Sequence, residues 1–205
     1  MIKFKEIKKD EKGVVSLEAC IFVPLFAFIM MFFYGLIVMF SGEQTMKHSL
    51  IQSAESLSLD SYAIEKIERK SFSDVITGDE RPGIEDIILS LYGAISGNKG
   101  DADYFSSGKK WYSEKKDTML VETVKKRFLG YIAGSTSDVE EKADDVLKTI
   151  RVSGGIDGLD FSGTTVEDGT LTIVLKYKQK FFIDLGGMAE FDRELKISID
   201  MWGLK

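Results

Sequence analysis

Residues 19–40 read ACIFVPLFAFIMMFFYGLIVMF, without a single Asp, Glu, Lys or Arg. As an α-helix, these 22 residues extend about 33 Å at 1.5 Å per residue, which is enough to cross the hydrocarbon core of a bilayer. A helix that is apolar on every side has no polar face to present to water from a soluble domain. The stretch therefore predicts a membrane-spanning helix.

The charges on the two sides of this stretch differ. Residues 1–12 contain five lysines, whereas residues 41–60 contain only Lys47. The positive-inside rule then places the N-terminus in the cytoplasm and everything after Ser41 outside, in a single-pass protein of the cytoplasmic membrane. A removable secretory signal would have a shorter apolar region, about 7–15 residues, and small residues at its end. This stretch ends in bulky Met39 and Phe40, so we expect the span to be retained.

The segment before the span contains a glycine and an acidic residue at a distinctive spacing. Glu18 follows Gly13 by five positions, and a lysine-rich segment precedes both. A carboxylate at the edge of a membrane helix costs little if it reaches the headgroups, but buried at mid-depth it costs about 2.5–3.5 kcal/mol, so an ionisable group here favours a partner. Cleavage after Gly13 would create an α-amino group on Val14, four residues from Glu18 and on the same helix face. The glycine leaves that peptide bond unshielded by a side chain.

The stretch KGVVSLEA at 12–19, followed by Pro24 inside the apolar run, resembles the class III signal of type IV pilin-like proteins. In detail it is similar to the TadE-like minor pseudopilins of the tight-adherence (Tad) pilus system. The resemblance implies that a prepilin peptidase cuts between Gly13 and Val14 on the cytoplasmic face. It also implies that Glu18 pairs with the new amine of a neighbouring subunit and fixes the axial register, and that Pro24 serves a kink or a packing contact.

Beyond the span the pattern changes to that of amphipathic helices. Apolar residues at 46, 50, 54 and 57 extend the first helix to about residue 60. Further helices are predicted at 62–77, 84–95 and 115–132, and Ser137 with Glu140 forms a capping-box signature for another that runs to residue 150. The core-facing positions of the last two are predicted from the apolar residues at 120, 124, 128 and 132 and at 139, 143, 146, 147 and 150. Residues 97–108 (GNKGDADYFSSG) have no periodicity and predict an exposed loop, where binding would be located.

From residue 151 onward the pattern indicates β-strands. Glu167-Asp168-Gly169 is a hairpin-turn signal. Apolar residues alternate with polar ones at 171–177 and at 195–201, with an apolar connection at 181–187, as in half-buried antiparallel strands. The predicted fold class is α+β and membrane-anchored: a long N-terminal helix, transmembrane and then amphipathic, packed on a small C-terminal antiparallel sheet with inserted helices.

The composition includes few of the side chains that commonly carry out catalysis. The single cysteine, Cys20, lies in the span and allows neither an intrachain disulfide nor a cysteine-based metal site, and His48 is the only histidine. The aspartates at 157, 160 and 168 lack the spacing of an EF-hand loop, and turn chemistry accounts for them equally well. The glycines form neither a phosphate loop nor a dinucleotide-binding motif. We therefore predict a protein that is not an enzyme and has no metal or cofactor.

The predicted organisation is a basic cytoplasmic leader at 1–13, a pilin-like helix at 14–60 and an extracytoplasmic head at 61–205. Residues 41–205 carry 22 of the 27 basic and 29 of the 33 acidic side chains, a net charge of −7. That balance argues against nucleic acid or an anionic lipid surface as the main partner.

Two functional hypotheses follow. The first is a minor pilin or pseudopilin that acts in assembly of a Tad-type pilus. Its partners would be the membrane, other pilin or pseudopilin subunits, the Tad secretion machinery and the prepilin peptidase, and it would either stay in the membrane or enter a cell-surface pilus. The alternative is a single-pass anchored binding or sensor domain with no role in a pilus.

Overall fold

A long helix forms the axis of the structure. The computed structural model describes residues 11–74, 104, 111–112, 118–135, 137–181 and 189–202, with the side chains of the first range described from Glu18 to Glu65. Helix α1 covers Glu11–Asp74, 64 residues, and is about 96 Å long at 1.5 Å per residue. The leader before residue 11, the predicted helix at 84–95 and the loop at 97–108, except Tyr104, lie outside the described residues.

The second half of α1 buries the stripe that its sequence predicts. Met46, Leu50, Ala54 and Leu57 are all at most 1% exposed, which confirms the amphipathic continuation. The predicted break near residue 60 is wrong, because α1 continues to Asp74 and absorbs the start of the helix expected at 62–77. Ser61 and Ile64 are both buried and extend the same stripe by about two turns beyond Leu57.

Two shorter helices follow in the described chain, of which the first packs on this part of α1 and the second packs on the first. Helix α2 covers Thr118–Ala133 and helix α3 covers Val139–Thr149, and the predicted core positions of both face the interior. The capping box is not formed: the N-cap position of α3 is Asp138, in a left-handed conformation and without a side-chain cap. The Ser137 hydroxyl instead lies 3.2 Å from the Lys142 ammonium, which donates to it.

The described strands form one antiparallel sheet in the order β1-β2-β3. Strand β1 covers Thr165–Glu167, β2 covers Thr170–Lys180 and β3 covers Glu190–Asp200, which confirms the two alternating runs as a pair. A two-residue turn joins β1 to β2, with positive φ angles of 49° at Asp168 and 73° at Gly169, as the hairpin signal predicts. Between α3 and β1, a 3₁₀ turn at Gly155–Gly158 and two isolated bridges, at Val152 and Asp160, follow the edge of β2.

The sheet lies along α1, and its two ends are at different levels of the helix. At one end the Ser58 hydroxyl donates to the carbonyl of Asp200 at 2.7 Å. At the other end the Gln179 side-chain nitrogen donates to the carbonyl of Met39 at 3.3 Å. Strand β2 therefore runs antiparallel to α1, and β2 ends and β3 begins at the end of the head nearest the apolar stretch. We call that end the base of the head.

Candidate functional site

The first half of α1 has almost no cover from the rest of the described chain, apart from a ring at the end of β2 near Phe32. Every described side chain from Glu18 to Tyr34 is exposed, and Gly35 is the first buried residue along the helix. Phe22 is 64% exposed and Phe26 63%, which is unusual for phenylalanine in contact with water. Among the described residues, α1 is the one helix that is long and apolar enough to cross a membrane by length and composition.

The residues of the predicted processing site lie at the start of this uncovered half. The Gly13–Val14 peptide bond is in the first turn of α1, which begins at Glu11. The first N–H groups of a helix have no partner within the helix, so unwinding this turn for a peptidase breaks few hydrogen bonds. The side chains of residues 11–17 are outside the described set.

Glu18 is exposed on α1, four residues after Val14. Four residues correspond to a rise of about 6 Å and return the helix to the same face. An amino group on Val14 would therefore lie within reach of the Glu18 carboxylate of its own chain, or of a neighbour displaced along the axis.

Pro24 lies well inside α1, which continues through it. Since proline has no backbone N–H, the carbonyl of Cys20 lacks its usual hydrogen-bond partner four residues later. The Cys20 thiol is free and exposed. The role of Pro24, in a helix kink or in a packing contact, stays a prediction.

The base of the head packs closely against α1, and we call this contact the junction. The Gln179 side-chain nitrogen donates to the carbonyl of Ile150 at 3.0 Å as well as to that of Met39, and so links three elements. A Cβ atom on Gly42 would lie 2.7 Å from that nitrogen and 3.0 Å from the Ile150 Cβ, so a glycine fits this helix position best. Further down, the ring of Phe181 lies 5.5 Å from that of Phe32.

The junction was not predicted from the sequence, although a polar residue at a core-facing position of β2 indicates it. The core-facing alternation of β2 continues from Tyr177 to position 179, where an apolar residue is expected and Gln179 occurs. A polar residue on the buried side of a strand requires a partner, because an unpaired polar group in the interior is costly. The partners are carbonyls of Met39 and Ile150, which the sequence alone does not identify.

A second group of polar side chains lies one turn above the junction. Glu43 pairs with Lys47 at 2.6 Å and approaches Arg193 of β3 at 3.8 Å. Tyr177 is 3% exposed, and its hydroxyl finds no hydrogen-bond partner among the described residues. Burial, with a smaller contribution from the Glu43 carboxylate, raises the pKa of Tyr177 to about 12.

This pKa predicts how stability responds to alkali. The unfolded tyrosine ionises near 10, below the folded value of about 12, so its contribution is complete below pH 10 and is lost as pH rises through 12. We expect Tyr177→Phe to change the free energy of unfolding at pH 7 by less than about 1 kcal/mol, because no hydrogen bond is lost. Above pH 10 the free energy of unfolding of the variant should fall less than that of wild type.

Urea unfolding of the full chain in detergent micelles, at pH 7 and pH 11, measures both effects. Tyr62→Phe, an exposed tyrosine of α1, is the matched control. If wild type and Tyr177→Phe lose the same free energy of unfolding from pH 7 to pH 11, the raised pKa assigned to Tyr177 is contradicted.

The described surface also has an open groove of about 580 Å³ beside α2 and α3. The Tyr104 hydroxyl donates there to Glu140 at 2.9 Å, and the remaining lining is of mixed charge, with two lysines of α2 and several carboxylates. No group of three or more His, Cys, Asp or Glu side chains in the described parts of the chain could hold a metal ion.

The aspartates considered for calcium have local roles in the chain. The Asp160 carboxylate accepts from the backbone N–H of Ser162 at 2.8 Å, and Asp168 forms the hairpin turn. Asp157 belongs to the 3₁₀ turn. His48, the single histidine, is exposed on α1.

Comparison with models of protein families, with curated proteins and with solved structures gave no match to this chain.

Proposed function

We propose that the protein is a minor pilin-like or pseudopilin-like subunit of a Tad-type pilus system, anchored in the cytoplasmic membrane by α1. The observation that carries the proposal is the division of this single helix. Its apolar half is uncovered from Glu18 to Tyr34, and its amphipathic half is buried on one side by a small α+β head. A subunit that inserts in a membrane and then packs side by side with others needs this division.

The processing motif adds the chemistry of assembly. Cleavage after Gly13 removes a segment with five lysines and leaves a positive amine at the start of the apolar rod. Two rods in a low-dielectric environment attract each other strongly where an amine of one meets a carboxylate of the other. Glu18 is the single acid between Val14 and Gly42, so it is the natural partner.

The size of the head favours a minor component over the main filament subunit. Residues 41–205 form or connect the sheet and the helices around α1, and such a head would keep neighbouring rods apart if every subunit carried one. The resemblance to TadE-like proteins agrees with this role, because the major pilins of that system are far shorter. In this proposal the head contacts other pilus components outside the membrane.

Mapping the mature N-terminus tests the proposal directly. We expect the chain purified from membranes that contain a prepilin peptidase to begin at Val14, with the 13 leader residues removed. Intact-mass analysis with N-terminal sequencing measures this. Gly13→Leu, which places a bulky side chain at the scissile bond, should leave the leader attached in nearly all molecules.

The matched control is Lys12→Gln, which changes the neighbouring residue and keeps the Gly13–Val14 bond. It should be processed like wild type. A wild-type chain that keeps its leader in the presence of the peptidase, or that begins at another residue, would contradict the proposal and favour a plain anchored domain.

A further inference from the structure

The base of the head lies beside the last turns of the apolar stretch, not beyond its end. The Gln179 side-chain nitrogen donates to the carbonyl of Met39 at 3.3 Å. The ring of Phe181 lies 5.5 Å from the ring of Phe32. Phe32 precedes Met39 by seven residues, so it is about 10 Å closer to the cytoplasmic end of the helix. Both contacts are therefore within residues 19–40, the part of α1 that is expected to cross the membrane.

The position of Glu18 sets the level of the extracytoplasmic membrane surface along α1. An ionised side chain is costly inside hydrocarbon, so in the isolated subunit the hydrocarbon core begins at about Ala19. A core about 30 Å thick corresponds to about 20 residues of helix, so it ends at about Met39. Phe32, and with it the ring of Phe181, is then about 10 Å below that surface of the hydrocarbon core.

The base of the head is aromatic on the face of the sheet that is turned toward α1. Phe181 directly follows β2, and Phe191 is the second residue of β3. Phe191 is the cross-strand partner of Gln179, so the two side chains share the face of the sheet that contacts α1. Phe191 nevertheless remains 46% exposed, and Phe181 is partly exposed. Phe33 and Phe40 of α1 are exposed at the same levels, so helix and head both present apolar surface there.

The opposite face of the sheet limits how far the base can enter hydrocarbon. The Lys180 ammonium lies 3.4 Å from Glu190, and the Lys178 ammonium lies 3.8 Å from Asp192, in two ion pairs between β2 and β3. Charges are costly in hydrocarbon, although a lysine stem can follow an apolar surface and place its ammonium among the headgroups. An aromatic face beside a charged face suits the boundary of headgroups and acyl chains, where apolar side chains are buried by about 5–10 Å.

We propose that the base of the head is embedded in the extracytoplasmic leaflet, with the rings of Phe181 and Phe191 among the upper parts of the acyl chains. The inference rests on the membrane span proposed for α1 and adds a second membrane contact, which the head itself makes. Because the contact is apolar, it requires no particular lipid headgroup. Two membrane contacts, unlike one, hold the head in a fixed orientation above the bilayer.

Depth-dependent fluorescence quenching tests the proposal on the full chain in phosphatidylcholine bilayers. Cys20→Ser removes the single cysteine, and Phe191→Cys in that background carries a small fluorescent label at the base. Lipids with a nitroxide either near the headgroup or near the end of the acyl chain report the depth of the label. We expect the label at position 191 to lie about 5–10 Å below the headgroups and to be quenched more by the shallow nitroxide than by the deep one.

Two further labels in the same background are the controls. Ile29→Cys places the label in the middle of the span, where the deep nitroxide should quench it most. Trp202→Cys places the label at the far end of the head, because the Ser61 hydroxyl donates to the carbonyl of Trp202 at 3.3 Å. Ser61 is about 33 Å along α1 from Met39, and Trp202 is 66% exposed, so neither lipid should quench this label.

Asp192→Cys keeps both aromatic rings and places the label on the opposite face of the sheet, where it should be shallower than the label at position 191. A label at position 192 that lies deeper than that at position 191 would overturn the assignment of the aromatic face. Quenching at position 29 but not at position 191 would overturn the embedded base and leave the span of α1 intact. Equal quenching at positions 191 and 202 would overturn it too, because the head would then lie flat on the membrane. If the label at position 29 also escapes quenching, the span itself is contradicted.

Discussion

Arg127→Leu is expected to lower the free energy of unfolding of the head by about 3 kcal/mol. The Arg127 side chain is 1% exposed and pairs with the carboxylate of Asp60 and the hydroxyl of Ser56, both on α1. Leucine fills much of the same volume but leaves the Asp60 carboxylate without its cation in a site that is 17% exposed. The loss of this ion pair at a poorly solvated carboxylate is what makes the effect large.

Urea unfolding of the full chain in detergent micelles, followed by the fluorescence of the buried Trp111, measures this effect. Lys126→Leu is the matched control, because Lys126 is the next residue of α2 and pairs with Glu122 in an exposed position. Exposed pairs of this kind are worth about 0–1 kcal/mol, so the control should lose no more than that.

A double variant separates the charge from the packing. Arg127→Leu/Asp60→Leu removes both partners, so it should recover part of the stability lost in Arg127→Leu, since the poorly solvated carboxylate is removed together with the guanidinium. A loss below about 1 kcal/mol in Arg127→Leu, or a double variant that simply adds the two single losses, would contradict the role assigned to this pair.

The parts of the fold that the sequence predicts are those with local, periodic patterns. The stripe from Met46 to Leu57, the core positions of α2 and the alternation of β2 and β3 all face the interior as expected. The turn at Asp168–Gly169 was predictable because both positions require positive φ, which these residue types adopt readily. In each case the residues concerned are within a few positions of one another.

The continuation of α1 past residue 60 was not predictable in the same way, because the next buried position, Ser61, is polar, as are three buried serines before it. Ser49, Ser53, Ser58 and Ser61 are at most 4% exposed, yet a hydrophobic pattern counts them as polar. Ser53 donates to the carbonyl of Ser49 at 2.6 Å, and Ser61 donates to that of Ser58 at 2.7 Å, so their hydroxyls are satisfied within the helix. Their small size lets neighbouring elements approach α1 closely.

The other features that the sequence did not predict depend on contacts between residues that are far apart in the chain. Arg127 is 67 residues from Asp60, and Gln179 is 140 residues from Met39, and a single sequence does not indicate such pairs. The uncovered apolar half of α1 could be predicted because composition alone defines it. The groove lined by Lys148, Arg151 and Lys180 could not, because these residues come together only through the turn after α3.

If the protein has the pilin-like role proposed above, Glu18→Ala is expected to leave membrane insertion and cleavage after Gly13 intact but to lower the recovery of the protein with pilin subunits at least tenfold. The variant shortens one exposed side chain of an uncovered helix, so no contact within the described chain is lost. Between rods, however, the amine of Val14 would lose its carboxylate partner in hydrocarbon. An ionised group there costs about 2.5–3.5 kcal/mol when unpaired, and each 1.4 kcal/mol changes an equilibrium tenfold.

The measurement is quantitative co-purification from membranes after mild crosslinking, with the mature N-terminus verified for each variant. Glu55→Ala is the matched control, because Glu55 is also exposed on α1 but lies beyond the apolar stretch and level with the head. It should assemble like wild type if rods associate through their membrane halves. Glu18→Asp keeps the charge on a shorter side chain and should recover part of the assembly. Equal recovery of Glu18→Ala and wild type would show that the freed amine does not need this carboxylate, and the axial register would then have to come from contacts between heads.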